Sequence, residues 1–237
     1  TSNFVTQNIT FNVGANTNCN VISFDSKNLN NLYPETYTFA GEVKALSAED
    51  SAGLKYLMSK AQAGDTINLL AGSYKMESYK AGVKIQGVDR ATVVVDVQGA
   101  KFGVNGDVNI ENVTLKFKND NYMGFQHTAT ELYKNCNIEG QPFLYGENVT
   151  YDACTFTQTS SDLYNVWTYG AKNVTFNSCT FNSAGKAVLV YAETAHVQNV
   201  TFNDCVLNAS VPVAGKAAVE IDSSFPSGGT GRYTINL

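Results

Sequence analysis

The chain has 237 residues, with 16 basic and 21 acidic side chains and a formal net charge of −5. That length suffices for a full core in one elongated domain, and the acidic balance offers a nucleic acid no basic surface. No apolar run approaches the ~18 residues of a membrane-spanning helix, and the first residues lack a charged-then-apolar leader, so the start reads as mature or processed.

Residues 1–46 contain Asn8-Ile9-Thr10-Phe11-Asn12, which echoes Asn173-Val174-Thr175-Phe176-Asn177, then a polar stretch from Asn16 to Asn31 and a strand-like Tyr37-Thr38-Phe39. They read as an N-terminal cap, one or two strands laid against the first coil of a domain spanning residues 47–237. Residues 47–63 predict a helix. Leu54, Leu57, Met58 and Ala61 fall at i, i+3, i+4 and i+7, behind Ser47 or Ser51 as N-cap and ahead of Gly64.

Next comes Gly64-Asp65-Thr66-Ile67-Asn68-Leu69-Leu70-Ala71-Gly72-Ser73-Tyr74. Here the chain resembles right-handed parallel β-helix proteins of the pectin-lyase-like superfamily, many of which open with a capping helix, a Gly-Asp-Thr-Ile strand and a Gly-x-Tyr turn. The resemblance covers residues 47–237 and implies an all-β solenoid of three-strand coils behind a capping helix. It implies little about activity, because that superfamily includes lyases, hydrolases, epimerases, phage tailspikes and surface adhesins.

Further along, the residues repeat. Asn148-Val149-Thr150-Tyr151-Asp152-Ala153-Cys154-Thr155-Phe156 recurs as residues 173–181 and 199–207, and in shortened form as Leu132 to Ile138 around Cys136. The cysteines are 18, 25 and 26 residues apart, and Val149, Val174 and Val200 are 25 and 26 apart. Short strands repeating at such a period stack as coils. Each unit alternates over Val-Thr-Phe, bends at Asp152-Ala153, Asn177-Ser178 or Asn203-Asp204, and alternates again. A third strand precedes each pair, at Phe143-Leu144-Tyr145-Gly146, Trp167-Thr168-Tyr169-Gly170, Leu189-Val190-Tyr191-Ala192 and Val219-Glu220-Ile221-Asp222. Equivalent residues then lie about 4.8 Å apart, giving a valine ladder, a cysteine ladder and a Tyr145, Tyr169, Tyr191 ladder, all assigned to the core. Trp167, in phase with Tyr169, is expected inside. Tyr233-Thr234-Ile235-Asn236 aligns with Val200-Thr201-Phe202-Asn203, so the chain stops inside a coil. Its open end is expected to be continued by further sequence or met by a partner.

Cys136, Cys154, Cys179 and Cys205 share one inward register, where parallel side-chain vectors give poor disulfide geometry and thiols act as small apolar fillers. Cys19 stands outside it. No motif indicates a metal or cofactor, Ca²⁺ included. Both pectate lyase and polygalacturonase chemistry need charged clusters. Here arginine occurs only at Arg90 and Arg232 and histidine only at His127 and His196, neither in a Gly-His-Gly context. Outward acids at Glu147, Glu193, Glu220 and Asp222 are candidates for a carboxylate pair, but they read as a solvated face. Variable loops, by contrast, emerge along one edge and can form a groove. Tyr122 and Tyr164 are candidates to stack on sugar faces, with Asp120 and Asp162 accepting hydroxyl hydrogen bonds. Six Asn-x-Ser/Thr sequons occur, at Asn8, Asn112, Asn148, Asn173, Asn199 and Asn208. Turn and strand chemistry of the repeat accounts for four of them without glycosylation.

The sequence therefore reads as a non-catalytic β-helix segment of a secreted or cell-surface protein, an adhesin or glycan-binding stalk whose partners are glycans or a host or cell-surface receptor. The alternatives are a polysaccharide lyase or glycoside hydrolase acting in the loop-lined groove, and a phage-type receptor-binding fibre.

Overall fold

The computed structural model describes residues 45–97, 101–192, 197–211, 213–223 and 232–236. The expected cap with Asn8 to Asn12, Cys19 and Tyr37 to Phe39 lies outside these residues, as do Glu193 and His196. In chain order the elements are β1 (Ala45–Ala48), α1 (Ser51–Lys60), β2 (Thr66–Leu69), β3 (Gly72–Lys75), β4 (Lys84–Gly87), β5 (Val93–Asp96) and β6 (Lys101–Glu111). There follow β7 (Thr114–Lys116), β8 (Gly124–Lys134), β9 (Asn137–Glu139), β10 (Asn148–Asp152), β11 (Thr155–Gln158), β12 (Tyr164–Trp167) and β13 (Asn173–Asn177). The last are β14 (Thr180–Ser183), β15 (Lys186–Ala192), β16 (Val197–Asn203), β17 (Val206–Ala209), β18 (Val219–Ser223) and β19 (Arg232–Asn236).

Among the described residues, nine strands stack in the order β1-β2-β4-β6-β8-β10-β13-β16-β19 on one face of a tube. A second face stacks β3-β5-β7-β9-β11-β14-β17, and a third β12-β15-β18. Every pairing is parallel, for instance Val149 with Val174 and Val174 with Val200. This is the three-sided parallel solenoid that the repeat predicts. β1 pairs in parallel with β2, so the first strand of the stack begins before residue 47.

The helix forms where its apolar spacing places it, and Leu54, Leu57, Met58 and Ala61 are buried. Its N-cap is Asp50, whose carboxylate accepts from the Gly53 amide at 2.9 Å, rather than Ser47 or Ser51. Ser47 is instead a buried residue of β1, and the Ser51 hydroxyl accepts from the Lys75 amide at 2.9 Å. The Gly-Asp-Thr-Ile stretch also has a mechanism. Asp65 accepts from the Gln62 amide at 2.7 Å, and Tyr74 closes the first turn with its hydroxyl between the carbonyls of Ala48 (2.8 Å) and Leu70 (2.7 Å).

Inside the tube, side chains stack by kind. Tyr133, Tyr151, Phe176 and Phe202 form one column with ring centroids 4.5, 5.6 and 5.1 Å apart, and Phe156 stacks on Phe181 at 4.5 Å. Cys136, Cys154 and Cys179 are buried free thiols and Cys205 is half-buried. Each donates to the carbonyl two residues back, at 3.3–3.4 Å. The bends fall where expected. Asn112, Asn135, Ala153, Ser178 and Asp204 all take left-handed backbone, with φ of 49 to 55°. Outside the first face, Asn148, Asn173 and Asn199 form an amide ladder with Nδ2-to-Oδ1 distances of 2.9 and 3.0 Å.

On the third face the expected phase is reversed. Val166, Thr168, Val188 and Val190 are buried in the tube, whereas Trp167, Tyr169 and Tyr191 are half-buried and belong to the outer surface. Tyr145 is half-buried as well. The inward Thr168 is tolerated because Gln198 satisfies it: Thr168 Oγ1 donates to Gln198 Oε1 at 2.8 Å, and Gln198 Nε2 donates to the carbonyls of Ala171 (2.7 Å) and Thr168 (3.1 Å). Two registers also differ from those expected. Leu189 pairs with Glu220 rather than Val219, a one-residue slip that exchanges faces. Val200 pairs with Ile235 rather than Tyr233, a two-residue slip that keeps them.

Candidate functional site

The outward phase of the third face builds an aromatic surface. Phe143 stacks on Trp167 (4.7 Å between centroids), Trp167 meets Tyr191 (5.4 Å), and Tyr169 stacks on Tyr191 (5.9 Å) and meets Tyr145 edge to face (5.2 Å). Tyr122 joins from its loop, 5.5 Å from both Phe143 and Tyr169. It is 42% exposed, holds a left-handed φ of 68°, and carries the Lys101 ammonium 4.6 Å above its ring.

Beside this surface, where the third face turns into the first, lies a groove of about 540 Å³. Its walls come from four successive coils: Asn105 and Gly106, then Gln126 to Ala129, then Tyr145 and Glu147, then Tyr169, Gly170 and Lys172. The groove therefore runs along the tube axis. Its first two coils are bent by left-handed residues, Asn105 (φ 53°) and His127 (φ 60°), where the pairing of β6 with β8 shifts register. Such bulges re-aim side chains beside sites. Lys172 donates to Glu147 at 2.5 Å across two coils and holds its carboxyl below the usual carboxylate range. The pair is exposed, so it shapes the rim more than it stabilises the fold.

Under the groove floor lies a residue that sequence reasoning missed. Glu131 occupies the valine column, between Val108 and Val149 in adjacent coils, and is 3% exposed. Thr128, a groove residue, donates to its Oε1 at 2.7 Å, and Tyr133 donates to its Oε2 at 2.6 Å. No ion pair among the described residues involves it. Burial pushes its carboxyl up to about 7, against the two hydrogen bonds, which lower it. The signal was present, since the 18-residue offset that aligns Cys136 with Cys154 also aligns Glu131 with Val149.

The four residues expected at the loop edge do not converge. Tyr122 is on the aromatic surface. Tyr164 is only 6% exposed; its hydroxyl donates to Glu220 Oε2 at 2.6 Å, and the Lys186 ammonium sits 4.5 Å above its ring. It reaches Tyr122 only through Trp167 and Phe143. Asp120 and Asp162 are exposed. Asp120 accepts from the Asn121 amide at 2.7 Å, and the Asp162 carbonyl accepts from Lys186 at 2.6 Å. Among the outward acids, Glu220 is fully engaged. Burial would raise its carboxyl, but hydrogen bonds from Tyr164, Lys216 and Ala217 hold it below the usual range. Among the described residues no three His, Cys, Asp or Glu are placed to hold a metal, and no helix is long and apolar enough to cross a membrane.

The family described as a right-handed β-helix region matches residues 78–225, more than half of the chain. No curated protein and no solved structure matches it.

Proposed function

Since the chain belongs to the right-handed β-helix family, a fold that hosts many activities, we propose from its surface chemistry that it is a non-catalytic segment of a secreted or cell-surface protein that binds glycans. The observation that carries this reading is the outward row of Tyr145, Tyr169 and Tyr191, with Tyr122 and Trp167, beside the axial groove. Tyrosine joins an apolar ring to a hydroxyl, and the groove adds amide, imidazole, carboxylate and ammonium groups from Gln126, His127, Glu147 and Lys172. That mixture suits a ligand with apolar C–H faces and many hydroxyls. Stacking of Tyr169 on Tyr191 covers ring faces on that row and the Tyr145 hydroxyl is buried, so contact there falls to ring edges and to the polar groups of the groove. Among the described residues that line the groove, Glu147 is the one carboxylate.

The test is to apply the protein to a glycan array and, separately, to neutral and acidic polysaccharides with and without Ca²⁺, assaying for new reducing ends and unsaturated products. Retention without turnover is expected, and Tyr145→Ala with Tyr169→Ala should weaken it about tenfold or more. Product release, or retention untouched by those substitutions, would overturn the reading.

A further inference from the structure

Asn105 and Gly106 form the one Asn-Gly pair in the sequence, and both line the groove. A side-chain amide followed by glycine can react with its own main chain, because no Cβ shields the next backbone nitrogen. We propose that Asn105 is a self-modification site, a neutral amide in the groove wall that the chain itself converts to a carboxylate. The inference goes beyond the glycan reading and does not depend on it.

The step needs only water. The Gly106 backbone nitrogen, its proton taken by solvent base, attacks Cγ of Asn105. An N–Cγ bond forms, the Cγ–Nδ2 bond breaks, and ammonia leaves with a proton. Water then opens the resulting five-membered imide at either carbonyl. One opening gives aspartate, and the other gives isoaspartate, in which the main chain runs through Cβ and Cγ. Either way one amide and one water become one carboxylate and one ammonium ion, with no change of oxidation state.

The fold presents the pair for this reaction. Asn105 is exposed and left-handed, with φ of 53°, and the pairing of β6 with β8 slips on both sides of Gly106. A regular ladder holds each successive peptide plane, whereas here the single pair of Gly106 with Thr128 is bracketed by two slips. Asn177 and Asn182 make the contrast, since each precedes a small serine but lies in an unbroken register. Their Oδ1 atoms accept from Asn203 at 2.8 Å and from Asn208 at 3.0 Å. The Asn105 side chain forms no hydrogen bond among the described residues. Packing also keeps the glycine in place, because a Cβ on Gly106 would lie 2.7 Å from the Ala81 Cβ. The consequence is electrostatic. Glu147 and Lys172 cancel each other in the groove, so a carboxylate at position 105 leaves it net negative and less favourable to anionic ligands.

The test holds the folded protein in neutral to mildly alkaline buffer at physiological temperature for weeks. Peptide mapping by mass spectrometry, with an isoaspartate assay, follows each asparagine. Asn105 should lose its amide while Asn177 and Asn182 keep theirs, and isoelectric focusing should show a growing species more acidic by a single charge. That species should co-migrate with Asn105→Asp and be missing from Asn105→Gln. A synthetic peptide of residues 103–108, incubated alongside, gives the rate of the unfolded pair. If the peptide converts while Asn105 of the folded protein stays intact, the proposal is overturned. Conversion that appears only in urea overturns it as well, as does the same acidic species arising from Asn105→Gln. The wild-type map decides the matter even if a variant fails to fold.

Discussion

At the corner between the first two faces, each of five coils needs a left-handed residue, and Ala153 meets that need with a Cβ and no polar group to compensate it. Its neighbour in the preceding coil is Asn135, whose Nδ2 donates to Asn112 Oδ1 at 2.7 Å. Asparagine tolerates this backbone better than alanine, so Ala153→Asn should extend that ladder and raise stability by about 1 kcal/mol, read from the denaturation midpoint at unchanged slope. Glu131 supplies the opposite case, a residue that lowers stability at neutral pH. Its folded pKa of about 7 lies above the ordinary value of 4.5, so the folded state binds the extra proton between those values. Stability is then highest below the unfolded pKa and falls as pH rises through the folded one, by about 3 kcal/mol in all. Urea unfolding of Glu131→Gln should lose that decline between about pH 4.5 and pH 7. A wild-type profile that rises over this interval would refute the assignment. Below it, Glu77, Glu147 and Glu220, all held low in the fold, lose their contributions as they protonate.

At the scale of the element, the cysteine column behaves as a structural strip. The Cys154 and Cys179 thiols are pushed up, chiefly by the hydrogen bond each makes to its neighbour in the column. Thiolate, the reactive form, is thereby suppressed at these two. At Cys136 burial raises the thiol but its hydrogen bonds outweigh this and lower it, so it is protected by that burial alone. In a Cys19→Ser background, native protein treated with a thiol reagent should label first at half-buried Cys205, with Cys136, Cys154 and Cys179 reacting only on unfolding. Labelling all four at one native rate would contradict the stacked register. The register itself was legible because β10, β13 and β16 repeat both side-chain type and corner chemistry. The third face was not, because Trp167-Thr168-Tyr169 presents its apolar residues to the outside, and partners from the next coil, Gln198 and the Tyr191 amide, make an inward Thr168 tolerable. Val219 was misaligned for a related reason. In Val219-Glu220-Ile221-Asp222 two apolar residues alternate with two acids, and apolar letters alone cannot fix the phase against Leu189 and Tyr191. The axial groove is lined by residues of the corners rather than of the variable loops, so it does not include Tyr122, Asp120, Asp162 or Tyr164.

For the whole molecule, a stack of coils touching only their neighbours should lose stability locally before it loses it globally. Phe176 is the residue to test this, because it is fully buried and stacked between Tyr151 and Phe202, with the edges of Phe156 and Phe181 against it. Phe176→Ala removes a ring shared by three successive coils and should cost about 3–5 kcal/mol. Hydrogen exchange should lose protection in β10, β13, β14 and β16, while β2 to β5, several coils away beside α1, keep theirs. The distance between these strands is what makes the outcome informative. Within a coil the core is one continuous hydrophobic contact, but between remote coils coupling passes only through the intervening rungs, so it should fade along the axis. Equal loss of protection at β2 and β13 would instead mean that the tube unfolds as a single cooperative unit. The groove, fed by four successive coils, would then share the fate of every distant mutation.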